Sequence, residues 1–406
     1  MCRQGSIESD ICAIADTVVA LRRDFHAYPE LGFEETRTSE IVAQFLDDLG
    51  IKVIRDVGGT TGVVGLLEGV ESDKTVALRA DMDALPVEEA NDLEYRSKVK
   101  GVMHACGHDA HTAVLLGAAA VLSKHRDSLK GNVKFIFQPA EEGKGGAKYM
   151  VEAGVLDAPE VDAIFALHVW PELPEGIVGY RYGTTMASSD HFHLTVEGKG
   201  AHGASPHSSN DVIVAASLIV QALQTVISRG INPVEPGVLS IGSFHAGINY
   251  NVIPEKAELL GTIRASSPDA RETIHNLMEE RIKGIAAAMG VQYRLVFGTG
   301  YPPTVNDEFM TNLLKATARD VVGADRLKEM PAPSMCGEDF SFYLQKVPGC
   351  YFYLGVGSKD PLQRFPGLHN PSFSFNDRKN LSIGVELFVK LAFNYLNSSN
   401  FKKRSQ

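Results

Sequence analysis

The stretch His-Ala-Cys-Gly-His-Asp-Ala-His at residues 104–111 brings imidazoles, a thiol and a carboxylate together within one short segment. A thiolate, neutral imidazoles and carboxylates are the protein groups that bind borderline-soft divalent cations. Further residues of these types follow far along the chain, in Gln-Pro-Ala-Glu-Glu (138–142) and at His168 and His369. Because small zinc modules keep their ligands close in sequence, this wide spacing indicates a metal site that an enzyme fold assembles from remote segments.

Length, composition and charge limit the classes of protein to consider. The chain has 406 residues, which predicts two domains, and 44% of them are hydrophobic, enough for large cores. The net charge of −11 argues against nonspecific nucleic-acid binding, which needs a basic face. The odd number of five cysteines argues against a disulfide framework. No signal-peptide core or long apolar run is evident, so we expect a cytoplasmic protein with no membrane segment.

Hydrophobic periodicity predicts an α/β domain that a smaller domain interrupts. In residues 1–187 and 299–406, which we assign to a catalytic domain, short apolar runs alternate with helical stretches. Such continuous apolar strands are typical of a sheet that helices cover on both faces. The predicted helices are 8–26, 37–49, 110–125 and 379–397, and the predicted strands are 63–67, 75–80, 133–138 and 163–169.

The pattern changes near residue 188. In Asp190–Glu197, the apolar residues Phe192, Leu194 and Val196 alternate with polar ones, which is typical of a half-exposed strand. A helix at about 210–228, strands near 237–244 and 256–265, a helix at about 268–289 and a strand near 291–297 follow. The sequence therefore predicts an inserted α+β domain of ferredoxin-like type at residues 188–298.

Seven motifs in a fixed order carry a resemblance to a known family. They are Arg-Ala-Asp-Met-Asp-Ala-Leu-Pro (79–86), residues 104–111, residues 138–142, Gly-Lys-Gly-Ala-His-Gly-Ala (198–204), Asn-Val-Ile-Pro (251–254), Gly-Glu-Asp-Phe-Ser (337–341) and His369. With this order the chain resembles the M20 family of metallopeptidases, and most of all its amidohydrolase branch of hippurate hydrolases, aminoacylases and indole-acetyl-amino-acid hydrolases. The match runs from His26 to the final helix, although any one motif alone is weak.

The resemblance implies a hydrolase with two divalent metal ions per subunit. By position in the motifs, Cys106 bridges the two ions, and four further residues complete their ligand shells: His108, Glu142, His168 and His369. A cysteine bridge is a feature of the amidohydrolase branch, since other branches use an aspartate. Sulfur and imidazole favour zinc, whereas the carboxylate leaves manganese, cobalt or nickel open.

The resemblance also implies the catalytic groups. Glu141 is the general base that takes a proton from water and passes it to the leaving amine, and its neighbour Glu142 is the ligand. We expect this pair on extended backbone at a strand end, where neighbouring side chains point to opposite sides. Asp83 matches a carboxylate that orients a ligand from behind, a role that Asp81 can share. His104, Asp109 and His111 match no ligand position.

The inserted domain is expected to contribute to dimerisation or to act as a lid. In relatives, the histidine that corresponds to His202 reaches the active site of the partner subunit and stabilises the oxyanion. Asn251 and Arg264 resemble positions that hold the carboxylate or carbonyl of the substrate. We therefore expect a homodimer or homotetramer, whereas an ordinary salt bridge is an equal alternative for Arg264.

The sequence favours a metal-dependent amidohydrolase that cleaves an N-acyl amino acid into a carboxylic acid and a free amino acid. A carboxypeptidase acting on short or N-blocked peptides is the near alternative, and a deacetylase of a biosynthetic intermediate is a third. A noncatalytic binding protein on the same fold would be expected to lack part of the ligand set or the base, which are complete here. No phosphate-binding glycine loop or Gly-x-Ser-x-Gly motif supports a nucleotide-dependent enzyme or a serine hydrolase.

Overall fold

The computed structural model describes residues 6–70, 74–298, 300–358, 360 and 365–398. The chain divides into two compact units. The first unit comprises Met1–Gly183, Val305–Pro331 and Phe342–Gln406, and the second comprises Thr184–Thr304 and Ala332–Ser341. The second unit thus begins four residues before the predicted inserted domain and also includes residues 332–341, which the sequence analysis places in the catalytic domain. Residue 299, at the predicted boundary, lies outside the described residues.

The described helices and strands follow one another along both units. The helices are α1 (Ile7–Ala27), α2 (Thr36–Asp48), α3 (His108–Lys124), α4 (Gly146–Glu152), α5 (Val212–Gly230), α6 (Pro268–Met289), α7 (Glu308–Val322), α8 (Ser341–Leu344) and α9 (Asp377–Asn397). The strands are β1 (Lys52–Val57), β2 (Gly62–Leu67), β3 (Thr75–Asp81), β4 (Asn132–Gln138), β5 (Ala163–Pro174), β6 (Val178–Tyr180), β7 (Gly183–Met186), β8 (Asp190–Glu197), β9 (Ala201–His202), β10 (Gly237–Ala246), β11 (Val252–Ile253), β12 (Lys256–Ala265), β13 (Gln292–Phe297), β14 (Thr304–Asn306), β15 (Leu327–Glu329) and β16 (Gly349–Gly357).

The first unit is built around an eight-stranded sheet in the order β1-β2-β4-β3-β5-β16-β6-β15. The central strands β4, β3, β5 and β16 run parallel to one another. Strands β3, β4 and β16 are buried along their whole length, as predicted for a sheet covered on both faces. Helices α1, α3 and α9 pack on one another in the same core. The expected α/β class is confirmed for this unit.

The second unit contains a four-stranded antiparallel sheet in the order β10-β12-β8-β13. In chain order, the four strands of this sheet and the two long helices of the unit follow as β8-α5-β10-β12-α6-β13, which is the ferredoxin-like β-α-β-β-α-β arrangement. The apolar residues of β8 face a core that α5 and α6 complete, whereas the intervening polar residues are more exposed. The alternation in the sequence therefore predicts both the bounds of β8 and its buried face.

Helix α5 bears on the expectation that the chain has no membrane segment. Its residues Val212–Gly230 have a mean hydropathy of 1.6 and are long enough to cross a membrane. A third of the helix, 33%, is buried inside the protein, where residues such as Ala215, Ile219 and Leu223 join the core of the second unit. A single helix of this kind is weak evidence for a membrane span, because core helices have the same length and composition.

Candidate metal centre

The candidate metal site lies at the edge of the first unit's sheet at which the parallel strands β3 and β4 end. Strand β3 ends at Asp81, β4 ends at Gln138, and β5 carries His168 beyond its last residue paired with β3. Because the carboxyl ends of neighbouring parallel strands lie at the same edge of a sheet, three remote sequence segments meet there. This is the topological reason why ligands distant in sequence converge.

The segment 104–111 approaches this edge through a tight turn into α3. Gly107 is the N-cap of α3 and has a left-handed backbone with φ of +88°. A Cβ at this position would lie 2.4 Å from Cγ2 of Val169 on β5, so only glycine fits. The glycine lets Cys106 and His108 lie on either side of the turn, close to His168.

The structure brings the five predicted ligands together. Cys106, His108 and His168 present ligand atoms within 4.8 Å of one another, and so do Cys106, Glu142 and His369. The two groups share Cys106, whose Sγ lies 3.4 Å from Nε2 of His168. A shared sulfur between two ligand groups is the geometry that a bridging thiolate requires. The assignment of these residues as ligands remains a prediction.

The donor set of this cluster fits divalent cations. Nε2 of His108 is buried and has no hydrogen-bond partner among the described residues, which leaves this ligand atom available. His168 points its Nδ1 at the carbonyl oxygen of Val169, 2.6 Å away, so its Nε2 is left for a ligand. A thiol, imidazoles and a carboxylate around one space match the preferences of zinc and related metals.

Electrostatics in the cluster also favour a cation. Burial lowers the pKa of His108, but the charges of Asp81 and Asp83 outweigh burial and raise the pKa to about 10. Burial and the charges of Glu142 and Glu141 raise the pKa of the Cys106 thiol well above its usual range. The surrounding negative charge that holds these protons also attracts a metal ion, and metal binding releases the protons.

Asp83 connects both parts of the cluster. Its Oδ1 lies 3.1 Å from Nδ1 of His108, and its Oδ2 accepts a hydrogen bond from the backbone N–H of Glu142 at 3.0 Å. An Nδ1–H donated to a carboxylate fixes the tautomer in which Nε2 is free to bind metal. These contacts support the predicted orienting role of Asp83.

Asp81 and His111 form a second supporting pair. Nδ1 of His111 lies 2.6 Å from Oδ1 of Asp81, and Nε2 of His111 accepts the backbone N–H of Val169 at 2.9 Å. The other oxygen of Asp81 accepts a hydrogen bond from Arg79 at 2.6 Å. His111 therefore supplies a hydrogen bond to β5 beyond the last residue that pairs with β3, next to His168. No such role of His111 is predicted from the sequence.

Glu141 and Glu142 lie in a turn, so the expectation of extended backbone is wrong. The turn follows β4, and Ala140 has a left-handed φ of +54°. Glu141 is buried, whereas Glu142 keeps 16% of its side chain exposed. Oε1 of Glu142 lies 3.0 Å from Nε2 of His369. The two neighbours thus differ in environment through the shape of the turn and not through strand alternation.

His369 reaches the cluster from a loop before α9. It has a left-handed φ of +62°, which is uncommon for a residue other than glycine. Its backbone N–H donates to the carbonyl oxygen of Ala105 at 2.8 Å, which ties the loop to the segment that carries Cys106. Its side chain is 53% exposed, so His369 lies on the open side of the cluster.

The remaining predicted residues lie in the second unit. Nδ1 of His202 accepts the backbone N–H of Ala204 at 3.0 Å, which places the ring hydrogen on Nε2 in the neutral form. Gly203 donates to the carbonyl oxygen of Asn251 at 2.8 Å, so His202 and Asn251 belong to adjoining segments. Both side chains are exposed. The approach of these residues to the metal cluster stays a prediction.

Arg264 is half-buried on β12. It donates to Oγ1 of Thr262 and, at 2.9 Å, to the carbonyl oxygen of Ile263. Burial lowers its pKa. Within the described residues of its unit, no carboxylate lies within ion-pair distance of its guanidinium, so the structure offers no salt bridge as the alternative explanation.

Glu35 is not among the site residues predicted from the sequence. This carboxylate is fully buried, and it accepts hydrogen bonds from Thr61 Oγ1 at 2.5 Å and from the backbone N–H of Ala140 at 2.9 Å. Burial, with the charge of Asp83 nearby, raises its pKa to about 7 although both hydrogen bonds oppose the shift. The only signal was the position of Glu35 in the His-Ala-Tyr-Pro-Glu-Leu-Gly-Phe-Glu-Glu stretch at 26–35.

Residues 77–394 match the model of peptidase family M20/M25/M40. Among curated relatives, thermostable carboxypeptidase 1 of Saccharolobus solfataricus is 41% identical over 394 residues, which cover 96% of this chain and 98% of that protein. The N-acetyl-L-cysteine deacetylase of Bacillus subtilis is 40% identical over 377 residues, which cover 92% of this chain and 87% of that protein.

A solved structure has the same fold. The crystal structure of the Bacillus subtilis YXEP protein, a dinuclear metal-binding peptidase from the M20 family, matches with a TM-score of 0.83 at 34% identity. The match covers 95% of this chain and 99% of that one. The resemblance stated from the motifs is therefore confirmed over almost the whole chain, as are the hydrolase class and the mixed α/β fold.

Proposed function

This chain belongs to peptidase family M20/M25/M40, and on that premise we propose that it uses two divalent metal ions to hydrolyse the amide bond of N-acyl amino acids. The products are a carboxylic acid and a free amino acid. One observation carries the proposal: two groups of ligand atoms share Cys106, and Glu141 lies beside one of them. A degenerate binding protein would have no reason to keep a base next to the ligands.

The residues present would hold two ions. Cys106 would contribute to both, with His108 and His168 in one ligand group and with Glu142 and His369 in the other. When bound, such ions lower the pKa of a coordinated water and polarise a carbonyl oxygen. Thiolate and imidazole ligands favour zinc, and manganese, cobalt and nickel are the alternatives to compare.

Glu141 supplies the proton transfers of the reaction. Its carboxylate takes a proton from the attacking water as the water oxygen bonds to the amide carbon. It then gives this proton to the amine nitrogen as the carbon–nitrogen bond breaks, so the base is regenerated. Glu141 is buried, and His108 and Glu142 offer potential ligand atoms within 4.8 Å of its own, which supports a role as the proton acceptor beside the predicted ligands.

Residues of the second unit would bind the substrate. His202 has its Nε2 available as a hydrogen donor, which suits a group that stabilises the negative oxygen formed on the carbonyl. Arg264 keeps its guanidinium free of carboxylates within the described part of its unit, which suits recognition of the substrate carboxylate. Asn251 would hold the carbonyl or carboxylate from the adjoining segment.

The substrate class is best tested by a hydrolysis screen. We would compare N-acetyl, N-benzoyl and indole-acetyl amino acids with dipeptides, each with added zinc, manganese or cobalt. Hydrolysis of N-acyl amino acids well above dipeptides supports the proposal. Preferential cleavage of peptides would instead support a carboxypeptidase, the activity named for a relative 41% identical to this chain. No metal-dependent hydrolysis of either class would overturn both.

The second unit would also join two subunits. Ile248 and Tyr250 are fully exposed, and Val214 and Leu218 on α5 are exposed at 46% and 39%. Val214 and Leu218 are four residues apart and so lie on one face of α5, and exposed apolar side chains on one face suit an interface between protein chains. Light scattering after size exclusion should give a dimer or tetramer, and Leu218→Glu should dissociate it whereas Phe309→Glu in the first unit should not. A wild-type monomer at micromolar concentration would refute this assembly.

A further inference from the structure

The conformation of the turn that carries Glu141 and Glu142 depends on contacts from outside the turn. Ala140, directly before the pair, has a left-handed φ of +54°, which costs free energy in a residue with a Cβ. Its carbonyl oxygen accepts Gly146 N–H at 3.0 Å, and the N–H of Glu142 donates to Asp83. The N–H of Ala140 donates to Glu35, 2.9 Å away.

Glu35 belongs to a loop that packs against this turn at several points. Nζ of Lys144 donates to the carbonyl oxygen of Gly32 at 2.6 Å. A Cβ on Gly32 would lie 3.0 Å from both Cα and Cβ of Ala140, so the two backbones already touch. The ring of Phe33 packs edge-on against Tyr149, with centroids 5.3 Å apart. The loop therefore has a fixed position from which Glu35 can act on Ala140.

We propose that Glu35 is a positioning residue, whose buried carboxylate holds Ala140 in the left-handed conformation that directs Glu141 and Glu142 to their places. This inference rests on the proposed function, in which Glu141 is the base and Glu142 a ligand. Removing the Glu35 carboxylate removes the acceptor that now lies 2.9 Å from the backbone N of Ala140. The turn then loses a hydrogen bond that offsets its backbone strain.

Two variants of similar size separate the hydrogen bond from simple packing. Glu35→Gln keeps an oxygen that accepts from Ala140 and can donate its amide to the Thr61 hydroxyl. Glu35→Leu fills the same space and accepts nothing. We expect Glu35→Leu to lower kcat about 10- to 100-fold with KM little changed, and Glu35→Gln to retain most of kcat. Thr61→Val leaves the hydrogen bond from Ala140 to Glu35 in place, so it should lower kcat less than Glu35→Leu does.

Binding of Co²⁺, followed by its visible spectrum, gives a readout independent of turnover. Glu35→Leu should weaken the binding of one of the two ions about 10- to 100-fold, because Glu142 is the only one of the five predicted ligands that lies in this turn. Adding Ala140→Gly to Glu35→Leu should recover about fivefold or more of the loss, since glycine adopts positive φ without penalty. If Glu35→Leu does not fold, Glu35→Ala with and without Ala140→Gly carries the same comparison.

The outcomes distinguish this inference from the proposed function. Normal metal binding and normal turnover in Glu35→Leu would overturn the inference alone. Equal losses in Glu35→Gln and Glu35→Leu, with no recovery by Ala140→Gly, would also overturn it, because packing would then explain the effect. If the wild type hydrolyses no amide, the proposed function fails, and the Co²⁺ titrations still decide whether Glu35 positions the turn.

Discussion

The Sγ of Cys106 lies 3.4 Å from Nε2 of His168, although the two residues are 62 positions apart in the chain. One lies at the start of the turn into α3, and the other lies in the middle of β5, two residues beyond the last β5 residue that pairs with β3. The contact exists because Gly107 lets the turn approach β5 more closely than any side chain would allow. The ligand groups on both sides of the sulfur therefore depend on the packing of a single turn.

Replacing Cys106 by serine should weaken the binding of both metal ions. A hydroxyl does not replace a thiolate shared by two ligand groups, so we expect the loss to exceed the roughly 10- to 100-fold typical of an orienting residue. Metal content after desalting, measured by mass spectrometry, checks this. Cys12→Ser, at an exposed position on α1, is the matched control and should retain both ions. Loss of only one ion in Cys106→Ser would contradict a bridging role.

The adjacent carboxylates should respond differently to the same substitution. Glu141→Gln removes the proton acceptor, so kcat should fall about 10²- to 10⁴-fold while both ions stay bound. Glu142→Gln removes a charged ligand, so metal content should fall together with activity. The two variants control for each other because they change neighbouring residues in one turn. Wild-type turnover in metal-loaded Glu141→Gln would remove this residue from the role of base.

Buried strands are predicted from the sequence only in part: the predicted strands 75–80 and 133–138 match the fully buried β3 and β4 to within one residue. Strand β8 is predicted with its observed bounds, because its two faces differ and the alternation is visible in the sequence. Strand β16 lies in the middle of the large sheet, yet no prediction located it. Its residues are buried on both faces, so the run is uniformly apolar and carries no period. Hydrophobic periodicity indicates which face of a strand is buried, but it does not indicate which strands pair.

The site shows a similar limit. The residue types at 104–111 and 138–142 indicate a metal centre, and the resemblance supplies the five predicted ligands, which the structure brings together. The supporting contacts of Glu35 and His111 could not be found in this way. Each is a side chain that accepts a backbone N–H from a remote segment, at Ala140 and at Val169. Such contacts depend on the fold itself and leave no spacing in the sequence.

His26 predicts a pH dependence of stability. It is buried at the end of α1, with Nδ1 2.8 Å from Asp109 and Nε2 3.1 Å from Glu89. Burial lowers its pKa, but these two carboxylates outweigh burial and raise the pKa above 6.5. A raised pKa in the folded state stabilises the protein fully below the unfolded pKa of about 6.5. This stabilisation is lost as the pH rises through the folded-state pKa.

The variant His26→Gln tests the direction of this pH dependence. The difference in unfolding free energy between wild type and His26→Gln should be larger near pH 6 than near about pH 9, as measured by urea denaturation. His207→Gln, at an exposed position of the second unit, controls for general effects of the substitution and should show no such trend. A difference that grows toward high pH would mean that His26 is neutral in the folded protein.

Gly107→Ala should destabilise both the fold and the metal cluster. The left-handed φ of +88° costs about 1–2 kcal/mol with a Cβ present, and overlap with Val169, 2.4 Å away, adds about 1–3 kcal/mol. We therefore expect the free energy of unfolding in urea denaturation to fall by about 2–5 kcal/mol, with weaker metal binding, because Cys106 and His108 flank the glycine.

Gly50→Ala is the matched control: its φ is +67° and nothing lies within 4 Å of the added Cβ, so only the backbone cost remains. Adding Val169→Ala to Gly107→Ala should restore part of the stability and of the metal binding, because it removes the overlap and leaves the strain. If Gly107→Ala proved as mild as Gly50→Ala, the close approach of the turn to β5 could not be what joins Cys106 to His168.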